Sequence, residues 1–109
     1  MTDLFDERER GYEAKWAHDE EAHFRAMSMR NRLLGEWAGG RLSLTGAALA
    51  DYAAGLVRAG VTGKGHDPVF DRLHADFAEG KVDVSDTVLK GVMKQLYERA
   101  KKEVLDGKT

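Results

Sequence analysis

Apolar residues recur at the spacing of an α-helix along most of this 109-residue chain, in segments separated by capping and turn residues. No stretch alternates with the period of two that is typical of a β-strand. The single proline, Pro68, follows Asp67, and the first position of a helix is the one place where a helix accepts proline readily. The chain is therefore predicted to be all-α.

Start and stop signals divide the chain into four predicted helices. Serine, threonine and aspartate cap helix starts, and glycine is common just after helix ends. The connections between the segments are about five to seven residues long, which favours packing of neighbours into a compact four-helix bundle. We expect the first helix to run from about Tyr12 to Ala38 and to be closed by Gly39 and Gly40. The other helices are expected from Thr45 to Gly60, from Asp67 to Gly80, and from Ser85 onward.

Each predicted helix carries an apolar stripe that we expect to form the core. In the first helix the stripe is Phe24, Met27, Leu34 and Ala38. Asn31 lies on the same face, and an amide there is expected to bond a neighbouring helix end or to set the packing register. The other three stripes are Leu49, Tyr52, Ala53, Leu56 and Val57; Val69, Phe70, Leu73 and Phe77; and Leu89, Val92, Met93, Leu96, Tyr97, Ala100 and Val104.

The N-terminal segment differs from the rest of the chain in charge. Residues 1–21 contain eight acidic and three basic residues, a net charge of −5, so the remainder carries +3. A short isolated helix is marginal in water, and Gly11 weakens this one further. We therefore predict a mobile N-terminal arm over residues 1–20 that folds against a partner, and a bundle body over residues 21–109.

Partner binding is expected to lie in this arm. Phe5, Tyr12 and Trp16 fall on one face of a helix, with Leu4 beside them. For Trp16 the alternative that it caps the core of the bundle stays open. The arm's negative charge is expected to attract a basic lining in the partner. The predicted partner-binding residues are Asp3, Leu4, Phe5, Asp6, Arg8, Glu9, Tyr12, Glu13, Lys15 and Trp16.

No group of residues predicts an active site, a cofactor or a metal. The chain has no cysteine, which excludes disulfides, thiolate metal sites and cysteine nucleophiles. His18 and His23 are five residues apart and so lie on different faces of a helix. His66 and His74 are better explained as histidines at a helix end, and the glycine-rich loop at 60–65 lacks the spacing of a phosphate-binding loop. We expect a protein that is not an enzyme.

Charge and hydropathy narrow the remaining classes. A net charge of −2 and an isoelectric point near 6.1 disfavour nucleic acid as the main partner. No apolar run is long enough to enter a membrane directly, so a cytoplasmic location is expected. Two alternatives stay open: a small helical adaptor, and a DNA-binding protein that uses residues 85–102 as a recognition helix. Asp86 at the start of that helix argues against the second.

A longer run of residues resembles a known family, and its matching positions lie in the first predicted helix and the arm before it. The Leu44-Thr45-Gly46 helix start and the Val82-x-Val84-Ser85-Asp86 helix entry also match. The chain resembles the zeta subunit family of alphaproteobacterial ATP synthases. The matching residues of the long run are Glu13, Lys15, Ala17, His18, Asp19, Glu21, Phe24, Ala26, Arg30, Asn31, Leu33, Leu34, Gly35, Trp37 and Ala38.

The resemblance implies a four-helix body that inhibits ATP hydrolysis by the catalytic head of a rotary ATP synthase. It implies that the N-terminal segment is the inhibitory part, inserted at a catalytic interface beside the rotor, with the alpha, beta and gamma subunits as partners. The protein would then sit peripherally at the inner membrane through ATP synthase. The family is also associated with weak binding of adenine nucleotides to the body.

Overall fold

The computed structural model describes residues 20–62 and 67–107, and within these ranges it contains four α-helices and no strand. The all-α, four-helix prediction is confirmed. Helix α1 makes its main contacts with α2 and α4, and α3 packs against the same two helices. The helices are α1 (Glu20–Arg41), α2 (Gly46–Thr62), α3 (Pro68–Glu79) and α4 (Asp86–Leu105).

The predicted starts of α2, α3 and α4 are confirmed, because they depend on local hydrogen bonds, whereas the predicted start of the first helix near Tyr12 lies outside the described residues. The Asp67 carboxylate accepts a hydrogen bond from the amide of Phe70 at 3.1 Å, with Pro68 in the first turn of α3. The Ser85 hydroxyl accepts from the amide of Val88 at 3.1 Å and caps α4. Thr45 immediately precedes α2, and its carbonyl accepts from the amide of Leu49 at 3.3 Å.

Two of the predicted helix ends are wrong. Helix α1 continues through Gly39 and Gly40 to Arg41, and α2 continues past Gly60 to Thr62. Gly39 is buried, and a Cβ atom there would collide with the Leu49 side chain of α2. The glycine therefore lets two helices approach and does not stop one. Gly80, by contrast, follows α3 as predicted.

The main core lies where all four helices meet. Leu34, Leu56 and Leu73 are each fully buried there. Helices α1 and α2 approach closely because Gly35 faces Ala53, whose Cα atom would lie 2.5 Å from a Cβ at position 35. The main core is formed by Leu34, Ala38, Leu56, Val69, Leu73, Phe77, Leu89 and Met93.

A second, smaller cluster joins the beginning of α1 to the end of α4. It consists of Ala22, Ala26, Ala100 and Val104, which we call the alanine cluster. The sequence prediction that Phe24 belongs to the core is wrong, because Phe24 lies between the two alanines on the other side of α1 and is 56% exposed. Small side chains let α1 approach α4 there, and an aromatic ring on that face would force the helices apart.

Candidate partner interface

The ten residues predicted to bind a partner, from Asp3 to Trp16, lie outside the described residues, as do His18, Lys64 and His66. The structure therefore describes the body side of the predicted boundary and, of the arm, only Glu20. Glu20 opens α1, four residues after Trp16. The first half of α1 is the described segment nearest to the arm in sequence, and it forms a surface together with the residues packed beside it.

An apolar patch occupies that surface. It consists of Phe24 and Met27 of α1 and Val61 of α2, which we call the entry patch. Phe24 and Val61 are 56% and 58% exposed, and Met27 is half-buried. The three side chains line a shallow cleft of about 310 Å³ whose edge includes Glu20 and His23. Phe24 and Val61 come from different helices, so the patch is a product of tertiary packing.

The floor of this cleft is a buried amide. Asn31 is 3% exposed, and its side-chain oxygen accepts hydrogen bonds from Nε and Nη2 of Arg30 at 2.9 and 2.7 Å. Its side-chain nitrogen packs against Gly60, where a Cβ atom would collide with it. The expectation that Asn31 sets the packing between helices is consistent with this contact. Its hydrogen-bond partner, however, is a neighbour in α1 and not a helix end.

Arg30 is the main polar residue that the sequence prediction missed. Burial lowers the pKa of its guanidinium from the ordinary value, while the negative charge of Asp67 acts in the opposite direction. Arginine remains charged in proteins at neutral pH, so the hydrogen bonds to Asn31 are charge-assisted. Arg30, which bonds to Asn31 in the first cleft, also lines a second cleft.

This second cleft, about 550 Å³ in volume, lies between α1, α3 and α4. Three cations, Arg30, Lys90 and Lys94, share it with Asp67 and Asp71. Its walls also include aromatic rings, and the Lys90 ammonium lies 5.5 Å from the centre of the Phe70 ring. The mixture of charges gives the cleft no strong field of one sign.

The histidines of the described residues do not form a metal site. His74 stacks on Phe70 and lies 3.4 Å from Asp86. Within residues 20–62 and 67–107, no group of three or more histidine, aspartate and glutamate residues could hold a metal ion. The same ranges contain no helix with both the length and the apolar character that crossing a bilayer requires.

A polar contact ties α2 to α3 near the main core. The Tyr52 hydroxyl donates a hydrogen bond to Oδ2 of Asp76 at 2.6 Å. Burial, with a further contribution from this hydrogen bond, raises the pKa of Tyr52 above its ordinary value. Arg72 completes the contact, since its Nη1 donates to the Gly55 carbonyl at 3.2 Å and its guanidinium lies over the Tyr52 ring. The polar groups of this contact form hydrogen bonds with one another or with the α2 backbone, so we assign the contact a structural role.

Comparison with known families decides what the bundle is related to. A sequence model of the family described as ATPase inhibitor subunit zeta matches residues 1–103. The chain belongs to this family. The comparison with curated proteins found no match. The match to the zeta family includes the N-terminal segment as well as nearly all of the bundle, and it confirms the resemblance inferred from the run between Glu13 and Ala38.

Within this zeta-family chain, the arm predicted from the sequence lies outside the described residues, and the apolar patch on the body was not predicted. Phe24 and Met27 have helical spacing and apolar character, so the pattern assigned them to the core. Val61 received no assignment because it follows Gly60, which was expected to end α2. One signal was available in the sequence: Ala22 and Ala26 are four residues apart and form a competing small-residue face of the same helix.

Proposed function

We propose that this protein inhibits ATP hydrolysis by the catalytic head of a rotary ATP synthase and is itself not an enzyme. The observation that carries the proposal is the match of the zeta family over residues 1–103. The inhibition is mechanical: the N-terminal segment inserts into a catalytic subunit interface formed by the alpha and beta subunits beside gamma, and blocks their conformational cycle. No covalent step is involved.

The division of labour in this proposal is between an inhibitory arm at 1–20 and a body at 21–109. Support comes from the core, since the described residues between Ala22 and Val104 form two clusters of buried apolar side chains. Deleting residues 1–15 is therefore expected to preserve helical circular dichroism and a cooperative melting transition. A shortened chain that melts without cooperativity would show that the arm is part of the fold.

The arm's apolar face is proposed to supply most of the binding energy. Phe5, Tyr12 and Trp16 share one face of a helical arm, and aromatic anchors commonly dominate protein interfaces. The flanking residues Asp3, Asp6, Glu9 and Glu13, with Leu4, Arg8 and Lys15, are proposed to contact the rim. Ordering such a segment on binding costs about 2–5 kcal/mol of contact energy, which keeps the inhibition reversible.

The test is an ATPase assay with the ATP synthase head of the same organism. Purified full-length protein is expected to lower the rate of hydrolysis, and Phe5→Ala is expected to weaken inhibition by about 2 kcal/mol, or roughly thirtyfold in affinity. Charge reversal at Glu7 serves as the control and should cost much less, because rim charges are screened. Equal inhibition by Phe5→Ala and the parent protein, with both folded, would show that the arm is not the inhibitory element.

The charge of the arm adds a second observable. With a net charge of −5 over residues 1–21, association with a basic interface is expected to slow as ionic strength rises. Association rates measured by stopped-flow between low and high salt test this. A rate that does not change with salt contradicts electrostatic steering by the arm.

Location and ligands follow from the same proposal. The protein is proposed to act in the cytoplasm, peripherally at the inner membrane through ATP synthase, without nucleic acid, metal or direct membrane insertion. No cofactor is proposed, and the weak adenine-nucleotide binding implied by the resemblance stays a prediction. The cleft between α1, α3 and α4 is the place to test it, since it brings Arg30, Lys90 and Lys94 near the Phe70 ring. A nucleotide titration followed by NMR is the suitable measurement.

A further inference from the structure

We propose that the surface that contacts the catalytic head does not end with the arm but continues onto the body, over the entry patch of Phe24, Met27 and Val61. The inference rests on the proposed function and names one occupant, the part of the catalytic head that adjoins the arm's binding site. The chemistry expected of that surface is apolar with basic residues at its edge.

The entry patch is exposed on the surface of the bundle. Among the described residues, the exposed large hydrophobic side chains are Phe24, Val61, Val88 and Leu105. Two of these four come from different helices and meet, with Met27, in a single cleft. Isolated exposed apolar residues are ordinary, whereas side chains from two helices that meet in one cleft form a joint apolar contact surface.

Phe24 belongs to neither of the two buried clusters of the bundle. The beginning of α1 packs on α4 through Ala22 and Ala26, which are 5% and 0% exposed. Phe24 is two residues from each of them, about 200° around the helix, and so points away from α4. Its exposed ring area becomes stabilising only when something outside the described bundle covers it.

The entry patch lies close in sequence to the last predicted anchor of the arm, Trp16. Glu20 lines the cleft and lies four residues after Trp16. If the bound arm continues α1 as a helix, Trp16 and Phe24 are about 12 Å apart along its axis. A protein surface that covers Trp16 in an interface of ordinary size therefore reaches the first turns of α1.

In a continuous helix, the aromatic residues of the arm and the α1 residues of the entry patch would project in similar directions. At about 100° per residue, Phe5, Tyr12 and Trp16 span about 40° of arc in a continuous helix. Met27 falls about 20° from Trp16, and Phe24 lies at the edge of the same apolar stripe, which is then about 120° wide. Glu20 falls inside this stripe and extends the acidic charge of the arm to the cleft.

The test uses two valines that differ in place but not in type or exposure. Val61 lies in the patch and is 58% exposed, while Val88 in the first turn of α4 is 51% exposed. Val88 is 12 residues before Ala100, about 18 Å along α4 from the alanine cluster. In the ATPase assay, Phe24→Ala is expected to weaken inhibition about tenfold and Val61→Ala about threefold, with no change for Val88→Ala.

A labelling experiment tests the contact without relying on the energetics. The chain has no cysteine, so Val61→Cys and Val88→Cys each carry a single attachment point for an environment-sensitive dye. On addition of the catalytic head, the emission of the dye at position 61 is expected to shift to shorter wavelength, and the emission at position 88 to stay unchanged. Melting curves of all variants should match that of the parent protein.

The outcomes separate the two proposals. If Phe5→Ala loses inhibition while Phe24→Ala and Val61→Ala inhibit normally and the dye at 61 does not respond, the arm mechanism stands and the patch inference is wrong. Equal losses at Val61 and Val88 also overturn the inference, because the patch would then have no special role. If the parent protein does not inhibit hydrolysis at all, the proposed function itself fails.

Discussion

The two halves of α1 bury different kinds of surface. Its C-terminal half contributes Leu34 and Ala38 to the main core, where large side chains from all four helices meet. Its N-terminal half contributes only Ala22 and Ala26, which contact a single other helix, and it leaves Phe24 exposed. One half of the helix thus supplies a large side chain to the main core, whereas the other buries only two alanines and leaves apolar surface exposed.

Under the proposed function, this difference would assign stability and partner binding to separate parts of one helix. Hydrophobic stabilisation scales with the apolar area removed from water, so substitutions in the C-terminal half should be costly to folding. Substitutions on the exposed side of the N-terminal half should leave folding intact. Single substitutions in the two halves, and in the helices they contact, test this contrast.

Leu34→Ala should produce the largest loss of stability. Leu34 is fully buried in the main core, and truncating such a residue typically lowers the free energy of unfolding by about 2–5 kcal/mol, because a cavity replaces packed atoms. Urea unfolding followed by circular dichroism measures the change.

Val104→Ala is the counterpart in the alanine cluster. It removes two carbon atoms at about 0.8 kcal/mol each, so the expected loss is about 1.5 kcal/mol. A loss at position 104 equal to or larger than that at position 34 would contradict the assignment of the main core as the source of stability.

Gly35→Ala is expected to destabilise the chain by about 1–3 kcal/mol. The new methyl group would lie 2.5 Å from the Cα of Ala53, so α1 and α2 must move apart. Gly91→Ala in α4 is the matched control, because a Cβ atom at position 91 would meet open space, and it should gain up to about 1 kcal/mol from helix propensity. Thermal and urea unfolding of both variants give the comparison. Destabilisation of similar size at both glycines would rule out close approach as the cause.

Tyr52→Phe should cost about 1 kcal/mol at neutral pH, because the hydrogen bond to Asp76 is lost. The pKa of Tyr52 is raised on folding, so its contribution is complete below the unfolded pKa of about 10 and is lost as the pH rises through the folded value. The difference in unfolding free energy between the parent and Tyr52→Phe should therefore shrink above about pH 10. Lysine titration affects both proteins and cancels in the difference; a difference that does not shrink as the pH rises above about 10 contradicts the assignment.

Phe24→Ala should have the smallest effect on folding. The ring is more than half exposed, and surface substitutions usually change the free energy of unfolding by less than about 0.5 kcal/mol. Urea unfolding checks this, and the result also validates the variant for the ATPase assay. A loss comparable to that of Leu34→Ala would mean that the ring supports the bundle after all.

How far the sequence predicted the structure depends on the kind of signal. Asp67 and Ser85 cap helices as expected, because a cap is formed by a side chain and an amide three residues away. Gly39 and Gly60 did not end their helices; each faces a side chain of another helix, Leu49 and Asn31 respectively, with which a Cβ atom would collide. Glycine has two uses, and only the packing partner distinguishes them.

The candidate site was predictable in part. The arm residues from Asp3 to Trp16 follow from charge and aromatic spacing and stay predictions, since they lie outside the described residues. The entry patch was not predictable, because Phe24 and Met27 have the helical spacing of core residues and Val61 is distant in sequence. Of the Arg30–Asn31 pair, the sequence assigned a structural role only to the amide.

The sequence by itself determined the helical class and the starts of α3 and α4, because periodicity and capping act over a few residues. It also determined membership of the zeta family, because the family match extends over residues 1–103. Tertiary structure decided which face of α1 is buried and which glycines permit contact. A helix offers several apolar faces, and the one that is buried depends on the shape of the helices that pack against it. At the beginning of α1 the small alanines fit α4 closely, and this leaves Phe24 beside Val61 on the surface.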